Sequence, residues 1–201
     1  MLKFSSLALA FTSSMVMLNT GTAHAFNLSN NSFETGDLTG WVTTGEATVE
    51  NSSFGVAPTD GTYQAVLETL DVDTGISATE LENFLDLSTG SLTDFDAIEG
   101  SAIKQTITVK AGDTLSFDWN FLTDDLKSDD YNDFAFLSLI NIEHLADTFS
   151  PNLFSFSRIF DETGYQSYTY QFQNTGTYTL GFAVVDVGDD TISQSGSVES
   201  S

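Results

Sequence analysis

Five carboxylates fall within ten residues in Asp124-Asp125-Leu126-Lys127-Ser128-Asp129-Asp130-Tyr131-Asn132-Asp133. Oxygens so close repel one another unless a hard cation bridges them, and calcium takes roughly 6–8 oxygen ligands from carboxylates, Asn side chains and backbone carbonyls. Asp124, Asp125, Asp129 and Asp133 are therefore candidate calcium ligands. The segment is not an EF-hand, because the D-x-[DN]-x-[DN]-G order is absent. An equal reading at this point is a solvated acidic loop that serves solubility. Further acids cluster at Asp186, Asp189 and Asp190, and Pro58-Thr59-Asp60-Gly61 has turn chemistry and carbonyls to offer.

Other chemistries are poorly supplied. The chain has no Cys and two His, His24 and His144. A Ser-His-Asp arrangement would have to be built on His144, and no G-x-S-x-G elbow accompanies it. A His-based zinc site fails for want of ligands. Paired acids for glycoside hydrolysis exist in abundance, Asp118 with Asp133 for instance, but abundance makes no one pair informative.

The elements that would position these residues begin after an export signal. Lys3 precedes an apolar run from Leu7 to Leu18 that Thr12, Ser13 and Ser14 interrupt, and Ala23-His24-Ala25 forms a small-x-small cleavage site before Phe26. A transmembrane helix needs ~20 mostly apolar residues, more than this run provides. Residues 1–25 are thus expected to be a cleaved signal peptide, 26–192 one β-sandwich domain with no transmembrane segment, and 193–201 a polar, frayed tail. The expected location is extracellular or at the cell surface, or periplasmic.

The chain carries 5 basic and 29 acidic residues, a formal net charge of −24. Nucleic-acid binding needs a basic footprint and is excluded, as is adsorption to anionic membrane surfaces. Without disulfides the loops need another means of fixing, and bound divalent cations would serve.

Short alternating apolar runs separated by Gly, Asn, Asp and Thr turns mark an all-β chain. Ile103, Gln105, Ile107 and Val109 share one strand face, Lys110-Ala111-Gly112-Asp113 turns, and Leu115, Phe117, Trp119 and Phe121 share the next. Tyr168, Tyr170 and Phe172, then Tyr178, Leu180, Phe182 and Val184, repeat the pattern around Asn174-Thr175-Gly176. Each pair reads as a hairpin. Phe134 to Ile142 reads as one strand buried on both faces. Ser77-Ala78-Thr79-Glu80 has capping-box spacing ahead of Leu81, Phe84 and Leu85, which predicts a short helix over 78–87. Together these predict an antiparallel two-sheet jelly-roll sandwich with one inserted helix.

Asn31-Ser32-Phe33-Glu34 followed by Gly40-Trp41 resembles the opening of galactose-binding-like jelly rolls, many carbohydrate-binding modules among them. Gly100 to Gln105, Ala111 to Thr123 and Tyr131-Asn132-Asp133-Phe134 are similar to exported bacterial proteins, common in cyanobacteria, that usually end in a PEP-CTERM sorting tail. The resemblance implies that Glu34 ligates a structural calcium together with a carboxylate near the last strand. Here Ile192 to Ser201 carries no Asp-Asn, and Pro-Glu-Pro, a final apolar helix and a basic cluster are lacking. Either a released protein or a truncated reading frame is implied. The function expected is a non-catalytic, calcium-stabilised module on extracellular polysaccharide or surface glycans, with Trp41, Tyr131 and Asn132 as sugar contacts. The alternatives are a glycan-active hydrolase using paired carboxylates, or an acidic coat protein with no specific ligand.

Overall fold

The protein is described by a computed structural model covering residues 5–10, 26–69, 75–125, 127–151, 153–155 and 160–188. The expected cleavage site at Ala25, the tail 193–201 and Asp189–Asp190 lie outside the described residues.

Two antiparallel sheets stack face to face, as the alternating patterns require. The first runs, in spatial order, Leu153–Ser155 (β10), Phe160–Glu162 (β11), Thr114–Thr123 (β7), Ser5–Ala10 (β1), Tyr63–Glu68 (β4) and Glu46–Asn51 (β3). Gln166–Gln171 (β12) also pairs with β7. The second runs Val42–Thr44 (β2), Ala97–Val109 (β6), Gly176–Val187 (β13), Phe134–Ser138 (β8) and Ile142–Asp147 (β9), and Ile76–Ser77 (β5) pairs with β6. Among the described residues, no helix is long and apolar enough to cross a membrane.

The inward rows fill the space between the sheets. Leu115, Phe117, Trp119 and Phe121 of β7 meet Ile103 and Ile107 of β6 and Leu180, Phe182 and Val184 of β13. Phe117 and Phe182 pack edge to face with ring centroids 4.8 Å apart. A second apolar cluster lies on the outer face of the second sheet, under the helix Ala78–Phe84 (α1), and joins Leu81 and Leu85 to Phe136, Ala183 and Val185. A third, smaller cluster sets Phe54 and Val56 over Ala8, Val66 and Leu122 on the outer face of the first sheet.

Three sequence expectations change. The two expected hairpins are crossings between sheets: β6 belongs to the second sheet and β7 to the first, and β12 and β13 divide the same way. Both strands of each pair carry an apolar inward row, so they face each other across the core instead of lying side by side. The two crossings lock together at their turns, where Gly112 N–H donates to Phe172 O (2.7 Å) and Phe172 N–H to Asp113 O (2.9 Å). The apolar run from Phe134 is not one strand to Ile142. It stops at Ser138, turns, and returns as β9. The helix keeps its capping box but ends at Phe84, not 87, and Asp86 takes a left-handed φ of 58°.

The strand β1 lies within the expected signal peptide. It sits between β4 and β7, antiparallel to both, with Leu7 and Leu9 buried in the central core and Ala8 in the outer cluster.

Candidate functional site

The acidic loop joins β7 in one sheet to β8 in the other. It is tied down by its own hydrogen bonds. Asn132 Oδ1 accepts from Thr148 N–H (3.2 Å) and Thr148 Oγ1 (2.7 Å), and Asn132 Nδ2 donates to Asp147 Oδ2 (3.3 Å). Thr148 N–H also donates to Asp133 O (3.1 Å), and Asp133 Oδ1 accepts from Val187 N–H (2.9 Å). Lys127 Nζ donates to Pro151 O (3.0 Å). Asn132 therefore positions the loop on the end of β9.

The four loop carboxylates expected to share calcium differ in exposure. Asp125 and Asp133 are buried, Asp124 is half-buried, and Asp129 is exposed. Among the described residues, no group of three or more acids or histidines is arranged to hold a metal. Glu34 lies elsewhere. Its Oε1 accepts from Thr62 N–H (2.8 Å) and Tyr63 N–H (2.9 Å), and the Tyr63 bond, then the Thr62 bond, hold the carboxyl below its ordinary value. Trp41 is buried against Phe33 (5.7 Å) and Phe182 (6.1 Å), so it is a core residue and offers no face to a sugar. His144 stands exposed on β9 and stacks on Phe134, centroids 5.5 Å apart.

Asp118 and Asp133 do not form a pair. Asp118 is on the outer face of the first sheet, where it accepts from Thr59 Oγ1 (2.8 Å) and Ser167 Oγ (2.6 Å). Around it Asn120 Nδ2 donates to Glu162 Oε2 (2.7 Å), Thr163 Oγ1 to Asn120 Oδ1 (3.1 Å), and Tyr165 OH to Gln64 Oε1. Burial, then the Asp118 and Glu162 charges, push the Tyr165 phenol far above its usual range. This network ties the loops at 56–59 and 162–167 to the sheet and consumes its own donors and acceptors, so its role is structural.

The acidic loop instead forms one wall of an open groove of about 540 Å³. The facing wall is the 3-10 turn Thr93–Phe95 with Asp96, and Val187 and Gly188 contribute the floor. Asp129 and Asp130 line it from the loop side. The Tyr131 ring comes against Gly188, 3.2 Å from where a Cβ there would lie, and Asp130 O would be only 1.9 Å from that Cβ. Gly188 also has a φ of +82°, so no side chain is accommodated at this point of the floor.

Phe95 is 65% exposed, and its ring meets Phe134 edge-on at 6.2 Å. The helix fixes the turn that presents it. Glu82 of α1 accepts through Oε1 from Leu92 N–H (2.8 Å) and Thr93 N–H (3.1 Å), and through Oε2 from Gly90 N–H (3.1 Å). Burial alone would raise the Glu82 pKa, but these backbone donors outweigh it and hold the carboxyl below its ordinary value. The groove thus offers one aromatic ring, Phe95, and the carboxylates of Asp96, Asp129 and Asp130, and among the described residues its lining contains no basic group.

Of the expected site residues, the structure brings Asp129 to this groove, and Tyr131 lies behind its floor against Gly188. Sequence reading missed Phe95. Its one local signal is an aromatic between two acids, Asp94-Phe95-Asp96, immediately before a strand.

No protein-family model matches the chain, and no curated protein sequence matches it. Among solved structures, the chain is similar to that of the carbohydrate-binding module TmCBM61 in complex with beta-1,4-galactotriose, at 16% identity and a TM-score of 0.40, over 81% of this chain and 88% of that one.

Proposed function

We propose that the protein is a secreted, non-catalytic module that binds a neutral glycan in the groove between Phe95 and the Asp129–Asp130 segment. The observation that carries this reading is the Phe95 ring, 65% exposed at the rim of an open polar groove and held there by the Glu82-anchored turn. A sugar ring presents an apolar C–H face and a rim of hydroxyls. The first packs on an aromatic ring, and the second donates to carboxylates such as Asp129 and Asp130. A groove of carboxylates repels uronic or sulfated chains, which selects for uncharged ones. Hydrolysis is not assigned, because Asp118 and Asp133 are separated on the two sheets and each is engaged by protein donors.

An array of neutral and acidic oligosaccharides tests this. Neutral chains should bind and acidic ones should not, and Phe95→Ala should weaken binding roughly tenfold, the scale of one aromatic contact. Binding unchanged by Phe95→Ala and Asp130→Ala would remove the groove from consideration. Binding to no glycan at all would favour an acidic coat protein.

A further inference from the structure

Ser5–Ala10 is the middle strand of its sheet. It is paired to Ala65–Glu68 on one side and to Asp118–Thr123 on the other. The same residues belong to the segment whose sequence marks it for removal. The inference below rests on that export reading and not on the glycan site.

Removing β1 leaves a gap one strand wide. Strands in a sheet lie about 4.8 Å apart, so β4 and β7 would face each other across about 10 Å with their backbone groups unpaired. The gap cannot close by a simple shift. Both neighbours run antiparallel to β1, so they are parallel to each other and could pair only in a parallel ladder with a new register. Moving β7 inward would also carry β11 and β12 with it and drag Phe117 off Phe182, 4.8 Å away across the core. Two buried leucines would leave the core as well, opening a trough where Leu7 and Leu9 had stood.

We propose that this gap is an acceptor slot for an extended strand donated by a second polypeptide. The present tenant states the chemistry required. The donor runs antiparallel to both neighbours and places large apolar side chains two residues apart facing inward, as Leu7 and Leu9 do. The residue between them must be small, as Ala8 is, because it lies against Phe54, Val66 and Leu122. Residues 189–201 do not supply that pattern: their large apolar residues are Ile192 and Val198, six positions apart. Main-chain pairing on two sides gives such a strand affinity, and the two inward positions give it selectivity.

The test starts from the full chain carrying a specific protease site within residues 11–25. The folded chain is nicked, unfolded in urea, freed of the N-terminal fragment and refolded with synthetic peptides. The probe is Lys-Phe-Ser-Ser-Leu-Ala-Leu-Ala-Phe-Thr, the sequence of residues 3–12. It should restore the native fold at one peptide per chain and protect the amides of 63–68 and 114–123 from exchange. A peptide with Asp in place of both leucines should bind roughly a hundredfold more weakly or worse. Three results overturn the proposal: a body that refolds without peptide and ignores it, a body that neither peptide rescues although the intact chain refolds, and a peptide-independent dimer with those amides protected, which would assign the slot to a second copy. The start of the exported chain, read by mass spectrometry, tests the export reading separately.

Discussion

Asn132 is where the sequence most invited a binding role and where the structure assigns a positioning one. Its amide takes two donors from Thr148 and gives one to Asp147, which seats the loop that carries Asp129 and Asp130 at the groove. Asn132→Ala leaves those partners without their bonds and should cost about 1–2 kcal/mol in urea unfolding. Asp147 supplies the pH dependence of the same joint. Burial would raise its pKa, but bonds from Ser150 and Asn132, the His144 charge and the Phe149 N–H together bring it below the ordinary 3.8. A carboxyl with a lowered folded pKa stabilises the fold above its unfolded value and loses that contribution as pH falls through the folded one. The melting temperature of the wild type should therefore exceed that of Asp147→Asn at pH 6. The difference should shrink as pH drops below 3.8, and a constant difference would place the Asp147 contribution outside ionisation.

At the scale of elements, the crossings between sheets are set by a few backbone positions. Gly45 is the point where the chain leaves β2 in one sheet for β3 in the other. It has a φ of +66°, and a Cβ there would lie 2.3 Å from Ser101 Oγ and 2.8 Å from Gly100 O. Ser101 Oγ is itself committed, accepting from Glu46 N–H (2.8 Å) and donating to Glu68 O (2.7 Å). Gly112 has a φ of +96° but nothing near its Cβ position. Gly112→Ala should then cost only the left-handed conformation, about 1 kcal/mol, while Gly45→Ala should cost about 3 kcal/mol or more, read from urea midpoints. Equal losses would mean that strain and not the close approach governs Gly45. These crossings explain what the sequence did and did not reveal. Period-two alternation identified the inward rows of β6, β7, β12 and β13 and the capping box of α1, because those patterns are local. Whether two alternating strands pair edge to edge or face each other across a core depends on their partners elsewhere, and the local pattern is the same in both cases. The groove was hidden for the same reason. Phe95, Asp129 and Gly188 are far apart in the chain and line one groove only once the sheets are stacked.

For the whole molecule, the excess of 29 acids over 5 bases is the dominant electrostatic fact. Self-repulsion on that scale weakens the compact state, and added salt relieves it, since the screening length is about 10 Å at 0.1 M. The melting temperature should rise with ionic strength whichever salt is used. Calcium is the discriminating case. The loop from Asp124 to Asp133 would gain a specific increment from it only if several of its carboxylates met around one ion. Instead Asp133 bonds to Val187, Asn132 to Thr148 and Lys127 to Pro151, so the loop is ordered by protein partners. At matched ionic strength, calcium and magnesium should then raise the melting temperature equally. Asp133→Ala should lower it by the amount that leaving the buried Val187 N–H without its acceptor implies, about 1–3 kcal/mol, with the same calcium response as the wild type. Each variant is best compared with itself, with and without calcium, so that the lost hydrogen bond cancels. A calcium-specific rise present in the wild type and in Asp37→Ala but absent in Asp133→Ala would show that the carboxylates converge around the ion after all, and would make the loop a cation site and not a bonded connection.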